Sequence, residues 1–570
     1  MPWAWCALIV ALVFAAFAPA LQAGFLSWDD NRNITENYAF RGLDGEHVRW
    51  MFTTNHMGPY QPLAWLSLGV DHALYGLAGP DEFPEAPHYH LTNIALHALT
   101  ALAFFFLARR VLALASRMPA CEFSLPGAVA ALAFALHPLR AESVAWVTER
   151  RDVLCGLFYV LATYVWLGHA ASRRATSSSL GLGVLGTVAA LAALALAWTS
   201  IDLSNARALA LHGPRVPGLI GAAALLALSA FFVARSSAGE FRSLVFALLL
   251  FSAALLSKGL ALVLPAVLLV AEVWPLRRVR DVRSACASVV GLAPLLALSL
   301  LCARLAFWGQ AQVPGVMSSW SEHTLGERTL QALYGLGFYV RASLLPVGLS
   351  PIYELPSDIA FGQMRFFVST LAVGAAVVAL CVWHRRFPAL AAAAVAYALA
   401  ITPVLGFTQA GGQLVADRYS YLACMPFALL AGATLTVWPR PALRFAACVL
   451  LAVSGAATFA QSRVWRSSST LWERVASVEP GSALAQANLG HARISEARHE
   501  RDPARREAKL ALAERIFHTA LATGEHPLLL GGLAAVHQQR WEDDPRAHVE
   551  DAEAALEYAM QNGGNQVVSF

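Results

Sequence analysis

The sequence predicts an all-α fold: a polytopic membrane helical bundle followed by a small helical-repeat domain. Three observations predict it. Of 570 residues, 57% are hydrophobic and only 14% charged, against about 25% charged in a soluble globular chain. Mean hydropathy is +0.53, and the apolar residues fall into uninterrupted runs of bilayer-crossing length. From residue 462 onward the composition turns soluble, rich in Arg, Glu and Ala.

The net charge of +4 makes no case for nucleic-acid binding. Cysteines 6, 121, 155, 286, 302, 381, 424 and 448 form no CxxC pair. They read as small apolar residues, not as a disulfide or metal framework. The chain carries no P-loop and no HExxH.

The apolar runs are 3–23, 88–110, 124–139, 152–169, 180–198, 214–234, 243–257, 259–276, 285–304, 328–346, 365–384, 387–406, 418–437 and 441–461. Arginines gather in alternate loops, at 109–117, 173–174, 235–242, 277–283 and 440–444, as on a cytoplasmic side when the N-terminus starts inside. Arg385 and Arg386 keep to the alternation only if 328–346, with Tyr334, Tyr339 and Arg341, is re-entrant or interfacial. The expectation is about 13 spans, with 24–87 as the first outer loop and the C-terminal domain outside. The first run is read as a span: Leu21-Gln22-Ala23 resembles a cleavage site, but Met1–Trp5 lacks a signal peptide's positive charge.

Several charges on the outer side escape this topological explanation. They are Asp29-Asp30, Arg140 and Glu142 after His137-Pro138, the run Glu149-Arg150-Arg151-Asp152, Lys258 between two apolar runs, and Asp417-Arg418-Tyr419. Five cations (140, 150, 151, 258, 418) against the positive-inside bias point to an anionic ligand. An acidic pair beside them suggests a base working next to a phosphate. Taken singly, each is equally well an interfacial anchor or a local ion pair.

At these residues the sequence resembles the integral-membrane GT-C glycosyltransferases, in particular the transmembrane-and-TPR branch of TMTC-type O-mannosyltransferases. The matching stretches are Phe25–Asp30 with Thr35-Glu36-Asn37, Tyr60-Gln61-Pro62-Leu63, Tyr89–Asn93 with His97, His137-Pro138 through Glu142–Val147 to Glu149–Leu154, Leu255–Lys258 with Pro265, and Ala416–Tyr421. Gln61 stands where relatives often carry Arg, and Gly259 where they often carry Pro. Residues 175–240 look like a two-helix insertion. The resemblance implies a polyprenyl- or dolichyl-phosphate sugar, usually mannose, as co-substrate, a hydroxyl acceptor on the outer face (possibly Ser or Thr of a protein), and no metal. It divides the chain into a GT-C-like catalytic domain, 1–461, and a C-terminal domain, 462–570.

The reaction expected is inverting single displacement with an oxocarbenium-like transition state. The lipid phosphate leaves unaided, and the attacking hydroxyl needs a base. Asp29 or Asp30 is the candidate, with Asp29 favoured; the bland reading is that the pair caps a following helix. Arg150, Arg151, Lys258 and Arg418 are candidates to hold the donor phosphate, with Glu142, Asp152, Asp417 and Tyr419 as supporting groups. His90, Asn93 and His97 share one helix face and are candidates to line the sugar cavity, with helix-to-helix hydrogen bonding the alternative. His137-Pro138 reads as a helix-ending turn. The stretch 60–77 is expected as a ledge on the outer interface.

In the C-terminal domain, Leu489-Gly490 followed by Ala513, Phe517 and Ala520, and Leu530-Gly531 followed by Ala552, Leu556 and Ala559, match TPR spacing. The first unit carries an apparent insertion, HERDPARREAK (499–509), and an incomplete unit with Trp472, Val475 and Pro480 precedes it. A repeat concavity suits an acceptor protein; a structural cap on the membrane domain is the plainer reading. The expected location is a bacterial cytoplasmic membrane with site and repeats facing the periplasm, or the lumenal face of the ER membrane in a eukaryote. Two other functions fit less well. A transporter or flippase would place ionisable groups near mid-membrane, and a non-catalytic TPR scaffold would not need the acidic pair.

Overall fold

The structure, a computed structural model, describes residues 2–76, 86–172, 241–311, 323–356, 358–407, 411–522, 524 and 526–543, with isolated positions between 185 and 192. It is an all-α membrane protein. Among the described residues, six helices are long and apolar enough to cross a bilayer: Pro2–Gln22, Ala86–Ser116, Val147–Ala171, Ala293–Ala311, Met364–Trp383 and Pro441–Val464. Two bent pairs, Ala120–Ala135 with Pro138–Ala145 (57°) and Asp417–Ala423 with Met425–Val437 (55°), raise the number to 8 if each is one span. Arg242–Ser257, Gly259–Val273, Val282–Gly291 and Pro388–Val404 are apolar but shorter.

Of the runs counted toward about 13 spans, 180–198 and 214–234 fall almost wholly outside the described residues. Several apolar runs break before they reach bilayer length. Lys258 sits extended between its two helices. At His137-Pro138 the ring Nδ1 accepts the Leu139 N–H at 3.3 Å, and Pro138 has no N–H to continue the ladder. The run 285–304 divides between Val282–Gly291 and Ala293–Ala311. Nearly all of the expected insertion 175–240 lies outside the described residues. The segment 328–346 forms one helix, Leu325–Leu344, started by a Thr324–Glu327 capping box. The ledge expected at 60–77 is a helix, Pro62–Tyr75, that buries Trp65, Leu68 and Asp71 against the bundle.

One continuous apolar core runs from Ile9 and Phe17 on the first helix through Phe134, Tyr159 and Phe251 to Trp465, Leu471, Trp472, Val475 and Leu489. It therefore does not stop at residue 462. The helices Ser468–Val478 and Ala483–Arg498 are packed into the membrane domain's own core. A second, smaller core of Ile494, Leu510, Phe517, Leu529 and Val536 joins Ala483–Arg498 to Pro503–Leu521 and Pro527–Asp543. Phe517 lies between Gly490 and Gly532; a Cβ on either glycine would fall 2.2 Å from its ring. The apparent insertion 499–509 is mostly helix: Asp502 caps Pro503–Leu521 by accepting the N–H groups of Ala504 and Arg505. The second set of repeat positions, Ala552, Leu556 and Ala559, lies outside the described residues.

Candidate active site

The loop after the first helix is latched onto the turn before residue 150. Asp30 is buried and accepts three hydrogen bonds, from Leu26 N–H (3.0 Å), Thr148 N–H (3.0 Å) and Thr148 Oγ1 (2.6 Å). Burial pushes its carboxyl up to about 6 against the pull of those donors. Asp29 is half-buried, and its side chain makes no hydrogen bond among the described residues. Burial raises its pKa also, while Arg151 and Arg418 nearby pull it down. The two neighbouring carboxylates thus differ: Asp30 is occupied in holding the loop, and Asp29 faces the cations with its oxygens available.

Three cations gather there from distant parts of the chain. Arg151 grips Glu149 through Nε (3.0 Å) and Nη2 (2.5 Å). Lys258 Nζ reaches Glu149 at 3.0 Å and Asp152 at 2.5 Å, and Asp152 in turn accepts from Ser143 Oγ at 2.9 Å. Arg418 pairs with Glu142 through its backbone N–H (2.7 Å) and Nη1, and lies 3.4 Å from Glu149. The side chains of Arg151, Lys258 and Arg418 are 17%, 14% and 13% exposed, whereas Glu149, Asp152 and Glu142 are 0–3% exposed. The carboxylates form the floor and the cations the layer that an incoming group meets first. Desolvation offsets much of the attraction in such a buried network, so it is weak evidence for net stability.

Glu149, the hub, was absent from the sequence-predicted site. The run Glu149-Arg150-Arg151-Asp152 advertised charge, but not which residue would face which way. Arg150 is a correction: it is fully buried and turned away from the cluster. Its guanidinium is used by Asp71 (2.6 Å), Ser67 (2.9 Å), the Tyr89 carbonyl (2.8 Å) and Asn93. It ties Pro62–Tyr75 and Ala86–Ser116 to Arg150–Ser172 and spends four of its five N–H donors there. Asp71, a lone carboxylate in the apolar stretch 60–77, was the available signal, since a buried acid calls for a buried cation.

His90, Asn93 and His97 do share a face, but that face is fully buried. Asn93 donates to the carbonyls of Val144 (3.2 Å) and Trp146 (3.1 Å). His97 bonds Tyr421 OH (2.7 Å) and the Ala135 carbonyl (3.1 Å). Asn93 and His97 are interhelical pins, which corrects their assignment to a sugar cavity. Asp417 also departs from expectation: it accepts from Tyr353 OH at 2.9 Å instead of holding Arg418. Tyr353 lies on a short antiparallel ribbon, Tyr353–Glu354 with Gln413–Val415, that delivers the Asp417–Tyr419 turn to the cluster. Tyr419 accepts from Gln413 Nε2 (2.7 Å), and its ring lies beside the Arg418 guanidinium. Arg140 is buried, bonded to Ser420 Oγ at 2.6 Å. His137 forms the turn expected of it.

An aromatic series flanks the site. Trp28, next to Asp29, stacks on Trp472 with ring centres 5.0 Å apart and lies 5.5 Å from Trp146; Trp146 stacks on Trp465 at 5.6 Å. Arg418 sits over Trp146. Four indoles so link the acidic loop, the turn before Glu149 and the first C-terminal helix.

Against known proteins, the chain is 29% identical to mouse protein O-mannosyl-transferase TMTC2 over 30% of its own length and 20% of that protein's. It is 30% identical to Drosophila melanogaster protein O-mannosyl-transferase Tmtc1 over 34% of the chain and 21% of the relative. With mouse protein O-mannosyl-transferase TMTC4 it shares 29% identity over 32% of the chain and 25% of the relative. The matches thus cover about a fifth to a quarter of these relatives' length. No protein-family profile and no solved structure matches the chain. Over about a third of its residues the chain is thus similar to TMTC-type protein O-mannosyl-transferases.

Proposed function

We propose that the chain is a membrane glycosyltransferase of GT-C type that moves a sugar, mannose by preference, from a polyprenyl- or dolichyl-phosphate donor to a hydroxyl acceptor. The observation that carries the reading is Asp29: a half-buried carboxylate without a side-chain hydrogen bond among the described residues, set beside Arg151 and Arg418. In the proposed step the acceptor oxygen attacks the anomeric carbon as its proton passes to Asp29. The bond from that carbon to the phosphate oxygen breaks on the opposite face, and its electron pair leaves with the lipid phosphate. Arg151, Lys258 and Arg418 take up the negative charge growing on the phosphate, the two arginines as planar forks and the lysine as a point charge. Glu142, Glu149 and Asp152 hold those three cations in place. Asp30 positions the loop and takes no proton from the substrate.

The relatives named as protein O-mannosyltransferases favour a Ser or Thr hydroxyl as acceptor, docked at the C-terminal helices. The site then faces the periplasm of a bacterium or the ER lumen of a eukaryote. The test is incubation of the purified protein with polyprenyl-phosphate mannose and a Ser/Thr-rich peptide, following release of polyprenyl phosphate. Release by the wild type and its fall by about 10² to 10⁴ in Asp29→Asn is the expected result. Unchanged release in Asp29→Asn, with equal expression, would remove Asp29 as the base.

A further inference from the structure

A cavity of about 670 Å³ opens where the last long helix meets the C-terminal helices. It lies at the same end of the bundle as Asp29: Gly24 N–H donates to the Arg466 carbonyl at 3.1 Å and Ser27 N–H to Ser468 Oγ at 2.8 Å. Its walls carry Gln22, Arg463, Arg466, Ser467 and Thr470, with no carboxylate among the described residues. Ser467 and Thr470 bond each other in the cap of Ser468–Val478. Arg463 and Arg466 are exposed, and neither guanidinium has a hydrogen bond or ion pair among the described residues. Two cations on one wall, with no counter-charge from the described residues, suit an anion from outside the chain.

The second observation concerns the surface that leads to the cavity. At 100° per residue, Phe445, Val449, Val453, Ala460 and Arg463 fall within about 80° of one another on the helix Pro441–Val464. Phe445, Val449 and Val453 are 72%, 44% and 61% exposed. From Phe445 to Arg463 this apolar stripe is about 27 Å long, most of a hydrocarbon core about 30 Å thick. The helix is a candidate span whose window is only 6% buried, so the stripe faces lipid and ends under a guanidinium.

We propose that this cavity binds the phosphate headgroup of an acidic glycerophospholipid, whose acyl chains lie along the stripe. Guanidinium groups match phosphate oxygens bidentately, and the stripe makes use of an attached hydrocarbon that a free phosphate lacks. The site is separate from the proposed transfer chemistry, and its test does not depend on transfer.

The test uses full-length protein in nanodiscs, with bound lipid counted by native mass spectrometry after exposure to phosphatidylglycerol or phosphatidylcholine. Arg463→Gln/Arg466→Gln is compared with wild type and with Arg440→Gln/Arg444→Gln at the other end of the same helix. Since all four arginines are exposed, their removal leaves the packing alone. Expected is phosphatidylglycerol retention down about 10- to 30-fold in the first variant, wild-type retention in the second, and little phosphatidylcholine on any. Equal retention in the first variant, or an equal fall in both, overturns the site. Displacement by millimolar glycerol phosphate would reassign it to free phosphate, and stronger retention of polyprenyl phosphate would reassign it to the donor; either refutes the proposal.

Discussion

At the scale of single residues, adjacent charges have opposite duties. Arg150 and Arg151 are neighbours in sequence, yet a helix turns about 100° between them. Arg150 therefore points into the bundle at Asp71, and Arg151 into the cluster at Glu149. Removing one partner of a buried pair costs about 3–5 kcal/mol. Arg150→Met should lower stability by that order while leaving the KM for the lipid sugar unchanged in the folded fraction; a raised KM at wild-type stability would return Arg150 to the phosphate site. The acidic pair makes a second prediction. In the proposed step Asp29 accepts the proton only when ionised, so turnover should be lost as pH falls through its raised pKa. Asp30 works in the opposite sense. Its carboxyl moves from 3.8 to about 6 on folding, so the folded state holds the proton more tightly. Its contribution to stability is full below 3.8 and lost as pH rises through 6. Melting temperature and turnover should thus move in opposite directions as pH climbs. Asp30→Asn should flatten the melting trend and keep the acid limb of turnover; loss of that limb would make Asp30 the base.

At the scale of elements, the first two C-terminal helices behave as part of the membrane domain. Trp472 stacks on Trp28 beside Asp29, whereas Phe517 packs in the separate core of the later helices. Trp472→Ala should lower transfer by on the order of 10- to 100-fold, as expected when a catalytic group shifts by about an ångström. Phe517→Ala should cost about 3–5 kcal/mol locally and leave basal transfer to a small hydroxyl acceptor intact. Equal losses in the two would mean that the four helices act as one unit. This boundary was hidden in the sequence. Composition changes at 462 because later helices meet water on their outer faces, but their inner faces carry Trp465, Leu471 and Trp472 into the common core. Periodicity likewise placed His90, Asn93 and His97 on one face, since i, i+3, i+7 spacing is local. What that face meets depends on Ala135, Val144, Trp146 and Tyr421, far along the chain. The gathering of Asp29, Arg151, Lys258 and Arg418 at one level was legible because charges that defy the positive-inside bias need a reason. Glu149 as their hub was not, because pattern does not reveal orientation within a charge run.

At the scale of the whole molecule, the contacts constrain topology without any count of charges. Gly24 bonds Arg466 and Ser27 bonds Ser468, so the loop after the first helix and the end of the last long helix share one membrane face. A chain that leaves a face at residue 24 and returns at 464 has crossed an even number of times. Of the six long helices, five follow the first (6 − 1 = 5), and the two bent pairs make seven (5 + 2 = 7). Both numbers are odd. With neither or both pairs crossing, an odd number of further crossings comes from the shorter apolar helices or from chain outside the described residues, and with one pair crossing an even number; in each case the total including the first helix must be odd. In a cysteine-free background, Glu36→Cys and Ser477→Cys should both be labelled by an impermeant maleimide added to one side of sealed vesicles, and Arg117→Cys only from the other. Labelling of Glu36→Cys and Ser477→Cys from opposite sides would break the Gly24–Arg466 contact. It would also detach Trp472 from Trp28 and part the acidic loop from the helices that brace it.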